Sequence, residues 1–210
     1  MYISTSLITL CIRGKYLVLF NFINNINQAG ISMNNYKIKR TLFAILSITV
    51  LVIIDQLTKM WAVIRLKDSE PIVLIKNTLE FYYLPNGNTG AAFGMLKGHQ
   101  MLFLIIALII SMLLLFLIYN MPNDKKFTII NVVLTLIIAG GIGNMIDRIR
   151  LNYVVDFIYF CLIDFPIFNV ADMYVSVGTV VLVILLLFYY KEKDLVLIED
   201  NIKSIFKKKV

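Results

Sequence analysis

The side chains in this chain that could do chemistry are mainly carboxylates. One histidine, His99, is present, whereas zinc hydrolysis in the HExxH manner wants two or three imidazoles. There is no GxSxG turn; Ser47 falls deep in an apolar run and Ser176 has no lysine nearby, which disfavours a serine nucleophile. Cys161 lacks a neighbouring histidine and forms no CxxC pair with Cys11, so thiol chemistry, a disulfide framework and a metal cluster all lack support. Two aspartates can hydrolyse a peptide by themselves: the ionised one takes a proton from water, and the protonated one donates to the carbonyl oxygen. A low-dielectric site makes them share one proton, because two close carboxylates cannot both ionise cheaply. Asp172 is one candidate, lying in an apolar run with no basic residue within a helical turn. The second is Asp147 or Asp156, and spacing leaves both open.

The elements that must position these groups are membrane helices. The chain is 60% hydrophobic and 16% charged, against about half and about a quarter for an ordinary soluble domain. Four stretches suit a bilayer crossing: roughly Leu42 to Leu66, Met101 to Asn120, Phe127 to Ile149 and Phe168 to Tyr190. Hydrocarbon offers the backbone no partners and the alternation of a membrane barrel is absent, so each stretch is predicted to be helical. The expected fold class is an all-α membrane protein, a four-helix bundle with a small external β-sheet. Its strands are predicted around Ile72 to Ile75 and Leu79 to Leu84, with a Gly-Asn-rich turn at Asn86 to Gly90.

The net charge of +7 sits in clusters beside the apolar runs and not along one face, which argues for membrane orientation and against a nucleic-acid partner. Lys37, Lys39 and Arg40 precede the first span, Lys125 and Lys126 join the second and third, and Lys191, Lys193, Lys203 and Lys207 to Lys209 follow the fourth. The positive-inside rule makes those regions, and both termini, cytoplasmic. Residues 33–191 form the expected membrane domain and 192–210 a basic cytoplasmic tail able to lie along the inner surface. Residues 1–32 make neither a good span nor a good signal peptide, since Leu7 to Phe20 is short and holds Arg13 and Lys15. Met33 resembles a natural start, which makes 1–32 an expected start-site artefact.

With this orientation Asp55 and Lys59, Asn144, Asp147 and Arg148, and Asn169 and Asp172 all fall in the outer leaflet. Charges inside spans cost on the order of 2.5–3.5 kcal/mol each at the centre, so each is a functional candidate. Asp55 with Lys59 is an i,i+4 pair; Asn144 with Asp147 and Asn169 with Asp172 are i,i+3 pairs, each sharing a helix face. Plainer roles compete: Asp55 with Lys59, and Asp147 with Arg148, read equally as structural ion pairs, and Asp164 and His99 as solvated loop residues. Gly140, Gly141 and Gly143 suit close helix packing.

Asp55-Gln56-Leu57-Thr58-Lys59, Asn88-Thr89-Gly90-Ala91-Ala92-Phe93-Gly94, Gly140 to Arg148, Val154-Val155-Asp156-Phe157-Ile158 and Phe168-Asn169-Val170-Ala171-Asp172 together resemble the lipoprotein signal peptidase (signal peptidase II) family over about Lys37 to Tyr190. The resemblance implies an aspartic endopeptidase of the bacterial cytoplasmic membrane with no cofactor or metal. Its catalytic dyad would be Asp156 and Asp172, with Asn144, Asp147, Arg148 and Asn169 supporting the site. Asn88 and Gly90 would meet substrate, and Asp55 with Lys59 would brace the first helix. The implied partners are membrane lipid and prolipoproteins whose signal peptide precedes a diacylglyceryl-modified cysteine, with cleavage just before it; nothing requires more than a monomer. The 15 residues between Asp156 and Asp172 predict a compact loop. Two other classes compete: a small proton-coupled transporter, which would want broken helices and repeated halves, and a metal-dependent lipid-phosphate transferase, which would want clustered aspartates on one helix.

Overall fold

The computed structural model describes residues 4–85, 87–89 and 100–207, with side chains within 35–204 of those ranges. The chain runs α1 (Ser4–Leu66), β1 (Ile72–Ile75), β2 (Leu79–Phe81), α2 (Gln100–Asn120), α3 (Thr128–Leu151), β3 (Ile158–Tyr159), α4 (Val170–Ile184) and α5 (Glu192–Lys207). A wider helical turn, Leu185–Tyr189, prolongs α4. Four segments are long and apolar enough to cross a membrane: Asn35–Leu66, Gln100–Asn120, Lys125–Leu151 and Val170–Tyr189. They coincide with the four predicted spans, the first beginning a little earlier. Residues 4–34, to which hydropathy assigns no span, continue α1 as backbone helix.

The bundle wears its apolar residues outside. Along α2, Met101, Ile105, Leu108, Ile109, Met112 and Leu113 are exposed, whereas Asp55, Lys59 and Asp147 are buried. Water would penalise that arrangement and hydrocarbon rewards it, because a charge facing lipid is costlier than one facing a partner inside the protein. One buried apolar cluster gathers Ala44, Ile48, Ile118, Phe127, Leu134, Ile138 and Leu185. A second gathers Ala62, Leu66, Val155 and Phe157. On α1 the charged pair Asp55 and Lys59 falls between Ile48 of the first cluster and Ala62 of the second.

Small residues let α3 come close to α1 and α4. A Cβ on Gly140 would lie 2.4 Å from the Ala171 carbonyl oxygen, and one on Gly143 would lie 2.5 Å from Asp55 Oδ2. Any larger residue would push apart the helices that carry the polar groups.

The predicted strands pair as an antiparallel sheet, which gains a third strand in the order β1-β2-β3. Ile72 faces Phe81, and Phe81 faces Ile158. At two residues, β3 is too short to carry a periodic signal of its own; its partners define it. Trp61 of α1 packs edge-on against Phe81 and Phe157, with centroids 5.2 and 6.1 Å away, and fastens the sheet to the helices.

At the opposite end of the bundle, α1, α2, α3 and α5 meet among cations. Lys37 donates to Asn120 Oδ1, and Arg40 donates to the carbonyl oxygens of Tyr119 and Pro122. Lys126 pairs with Asp194, and the Asn201 side chain donates to the Asn120 carbonyl.

Candidate active site

Asp156 reaches the site by way of backbone pairing. The segment after α3 is stitched to the chain around β2: Leu84 N–H donates to the Asp156 carbonyl at 3.0 Å, and Asn88 and Val154 exchange two bonds of 2.9 Å. On the other side, Phe157 N–H and Ile158 N–H both donate to the Phe168 carbonyl. The compact loop expected between the aspartates is therefore a folded-back ribbon. Gly87 makes the turn ahead of Asn88 with φ +65°, and a Cβ there would lie 2.0 Å from the Tyr153 ring, so only glycine fits. This pairing delivers the Asn88 side chain, whose Nδ2 donates to Asp156 Oδ2 at 2.9 Å.

Asp172 is placed by the start of α4. Asn169 is the N-cap, its side-chain oxygen accepting the Asp172 N–H at 2.9 Å, and Asp172 at N3 accepts the Asn169 N–H on Oδ2 at 3.2 Å. This is a capping box with an aspartate in the place that glutamate usually fills. The Asn169 amide still has donors to spare: its Nδ2 donates to Asp156 Oδ1 at 2.6 Å and to Asn144 Oδ1 at 3.1 Å. One residue thus contacts both candidate catalytic carboxyls. Asn144, on α3, adds a donor to Asp172 Oδ1 at 2.7 Å.

Beneath them lies a buried charge cluster. Lys59 is 2 % exposed and contacts Asp55 Oδ2 and Asp147 Oδ2, both at 3.0 Å, and Asn144 Oδ1 at 2.9 Å. Asp55 sends its other oxygen to the Ala171 N–H at 2.9 Å, so it supports the start of α4 as well as its own helix. Asp147 accepts the Val155 N–H at 3.1 Å. The ion pair of Asp147 is with Lys59. Its sequence neighbour Arg148, which the sequence offered as the counterion, turns about a third of a helical turn away, since adjacent helical residues do not share a face. The Arg148 guanidinium stands over the Phe103 ring, 4.9 Å from its centroid, within the electrostatic reach of Asp172, Asp156 and Asp147.

Asp156 is 1 % exposed. Burial, and after it the negative charge of Asp172, push its carboxyl up to about 7, against the opposing hydrogen bonds from Asn88 and Asn169 and the charge of Lys59. A carboxyl poised near neutrality beside a second carboxyl can pass a proton in either direction. Among the described residues no three His, Cys, Asp or Glu side chains gather to hold a metal.

The relationships of the chain follow the same pattern. Residues 47–188 match the family model described as signal peptidase (SPase) II. The chain belongs to the signal peptidase II family. It is 46% identical over 140 residues to the lipoprotein signal peptidase of Clostridium tetani (strain Massachusetts / E88), covering 65% of this chain and 86% of that protein. With the lipoprotein signal peptidase of Streptococcus pyogenes serotype M5 (strain Manfredo) it shares 40% over 156 residues, covering 74% and 97%. Two solved bacterial membrane enzyme structures superpose with a TM-score of 0.60. One is 34% identical and covers 70% of this chain and 94% of its own; the other is 32% identical and covers 71% and 92%. The chain is accordingly a multi-pass membrane protease, and nothing in these relationships supports the transporter alternative.

Of the residues singled out from sequence, Asp55, Lys59, Asn88, Asn144, Asp147, Asn169, Asp156 and Asp172 form one connected network. Gly90 and His99 lie outside the described residues. Asp164 is exposed, as expected, and accepts the Tyr159 hydroxyl at 2.7 Å. Sequence reasoning gave Gln56 no role. Its Nε2 lies within 3.2 Å of Asp55 Oδ2, the Gly143 carbonyl and Asp147 Oδ1. The available signal was an amide next to the charged Asp55 inside a membrane span.

Proposed function

We propose that this chain removes signal peptides from prolipoproteins as an aspartic endopeptidase, with Asp156 and Asp172 as its dyad. The observation that carries the reading is Asn169 bonded to both carboxyls, in a site where Asp156 holds its proton up to about 7. With one proton between them, the ionised aspartate draws a proton from an attacking water and the protonated one donates to the scissile carbonyl oxygen. The roles then reverse as the tetrahedral species collapses and the amine leaves. Asn88 and Asn169 donate to Asp156, and hydrogen bonds to an ionised carboxylate favour that form, so they oppose the rise that burial imposes on it.

The substrate proposed is a prolipoprotein carrying diacylglycerol on a cysteine, cut just before that residue. A dyad at one end of a lipid-facing bundle suits it, since the signal helix and the acyl chains stay in hydrocarbon while the peptide bond reaches the aspartates. The cationic end that gathers Lys37, Arg40 and Lys126 is taken as cytoplasmic by the positive-inside rule, which puts both termini inside and the dyad and sheet at the outer face. Both aspartates and their partners come from one chain, consistent with a monomer as the working unit.

The deciding experiment is a cleavage assay with purified protein in lipid, using a lipidated precursor and its unlipidated form. Asp156→Asn and Asp172→Asn should each abolish processing while still inserting in the membrane, and the unlipidated form should be a poor substrate. Full activity in either variant would defeat the dyad.

A further inference from the structure

Lys59 commits its ammonium to three acceptors, and each of them leads to a dyad aspartate. Asp55, at 3.0 Å from Nζ, holds the N–H of Ala171 at 2.9 Å, one residue before Asp172. Asp147, also at 3.0 Å, holds the N–H of Val155 at 3.1 Å, one residue before Asp156. Asn144, at 2.9 Å, donates to Asp172 Oδ1 at 2.7 Å. We propose that Lys59 is a positioning residue: one ammonium on α1 fixes the spacing of the two dyad backbones through Asp55 and Asp147 as relays, and sets the Asp172 carboxyl through Asn144. This rests on the dyad reading and goes beyond a brace for the first helix.

The physical need is specific. Asp156 sits in a loop and Asp172 at a helix start, and two carboxyls that share a proton tolerate little error in separation. A compact ammonium with three diverging donors can hold three acceptors at once, which the flat fork of an arginine cannot do in the same volume. Buried near each other without that cation, Asp55 and Asp147 would be uncompensated like charges that repel, and each would loosen its grip on the backbone N–H it holds. The charged groups around Asp156 include Asp172 from α4, Lys59 and its partner Asp55 from α1, and Asp147 and Arg148 from α3. Of these, Lys59 favours the ionised form of Asp156, so its removal should also be visible in the pH dependence.

The test uses the full chain in lipid and three variants. Lys59→Met should lower kcat about 10²-fold with little change in KM, the loss expected when reacting groups are misplaced by roughly 1 Å. The alkaline limb of its kcat/KM profile should move to higher pH. The triple variant Lys59→Met/Asp55→Asn/Asp147→Asn removes the uncompensated charge and keeps side-chain oxygens to accept from Ala171 and Val155. Its melting temperature should return towards that of the parent protein, and the displaced limb should move back because two negative charges leave with the one positive charge, while kcat should not recover. Return of kcat together with the melting temperature to parent values would make Lys59 a mere neutraliser and overturn the proposal. Asp156→Asn in the same assay separates the two claims: activity there sinks the dyad itself, whereas an inactive Asp156→Asn beside a Lys59→Met enzyme of parental kcat and pH profile sinks only the role of Lys59.

Discussion

Asn169 and Asp172 cap the same helix end for one another, with bonds of 2.9 and 3.2 Å running in opposite directions. The Asp172 carboxyl is therefore oriented by the backbone of α4 and is no freer than the helix itself. Asn169 then extends its amide to Asp156 at 2.6 Å, so one side chain ties a helix N-terminus to a loop.

Capping and linking can be separated at Asn169. Alanine removes both and should destabilise the protein by about 1 kcal/mol. Serine keeps the cap but not the donor to Asp156, so its melting temperature should stay close to that of the parent. Both variants should lose activity, by about 10- to 100-fold, the worth of a hydrogen bond to a charged group. A serine variant that cleaves at the parental rate would show that the link to Asp156 has no catalytic value.

Activity should decline on the alkaline side with an apparent pKa near 7, where Asp156 gives up its proton and the dyad can no longer donate. The sign of two substitutions follows from the causes. Asn88→Ala removes a bond that favours the ionised form, so the limb should rise in pH. Asp172→Asn removes a like charge, so the Asp156 carboxyl should titrate lower; because cleavage should be lost in this variant, difference infrared spectroscopy of the carboxyl stretch reads it. Because native Asp156 binds its proton more tightly than an unfolded aspartate, stability should fall as pH climbs from about 4 to about 7. A limb that moves down in Asn88→Ala would refute the assigned cause.

Two neighbouring glycines should behave differently. At Gly143 a methyl group would press on Asp55 Oδ2 at 2.5 Å, whereas at Gly141 the nearest foreign atom is Ser111 Oγ at 3.6 Å. Gly143→Ala should cost about 1–3 kcal/mol in overpacking and most of the activity. Gly141→Ala should be neutral or stabilising by up to about 1 kcal/mol, as alanine is the better helix former. Thermal unfolding in detergent together with the cleavage assay distinguishes them, and equal tolerance at both positions would contradict the packing of α3 against α1.

Chelation should leave cleavage unchanged, since the proposed chemistry uses only protons and the described acidic residues do not assemble a metal cage. Inhibition by EDTA that added divalent metal reverses would show a metal-dependent step and defeat the two-aspartate chemistry.

Much of the fold and of the site is legible in the sequence alone. The spans of α1 to α4 announce themselves through unbroken apolar runs, because backbone in hydrocarbon has no alternative to the helix. The carboxylate inventory was equally plain, since the single histidine and missing serine motif left little else. Less was visible where a partner supplies the reason for a structure. The strand Ile158–Tyr159 has two residues and exists through Glu80, Phe81 and Phe168. The choice between Asp147 and Asp156 could not be made from spacing, and only the family resemblance favoured Asp156. In the folded chain, Asp147 is bound to Lys59 and the Val155 N–H, whereas Asp156 meets Asn169 and Asn88.

By itself the sequence determined that ionisable groups inside apolar helices must turn inward, and that they would do so at one end of the bundle. The energy of a bare charge in lipid is large enough to dictate that from composition and order alone. The tertiary structure decided who meets whom: that Lys59 rather than Arg148 pairs with Asp147, and that Asp55 reaches the Ala171 N–H 116 positions away. Helical periodicity gives the face on which a residue lies. The distance across to another helix depends on rotation, on close approach at Gly140 and Gly143, and on the ribbon that carries Asp156, and these exist only once the chain has packed.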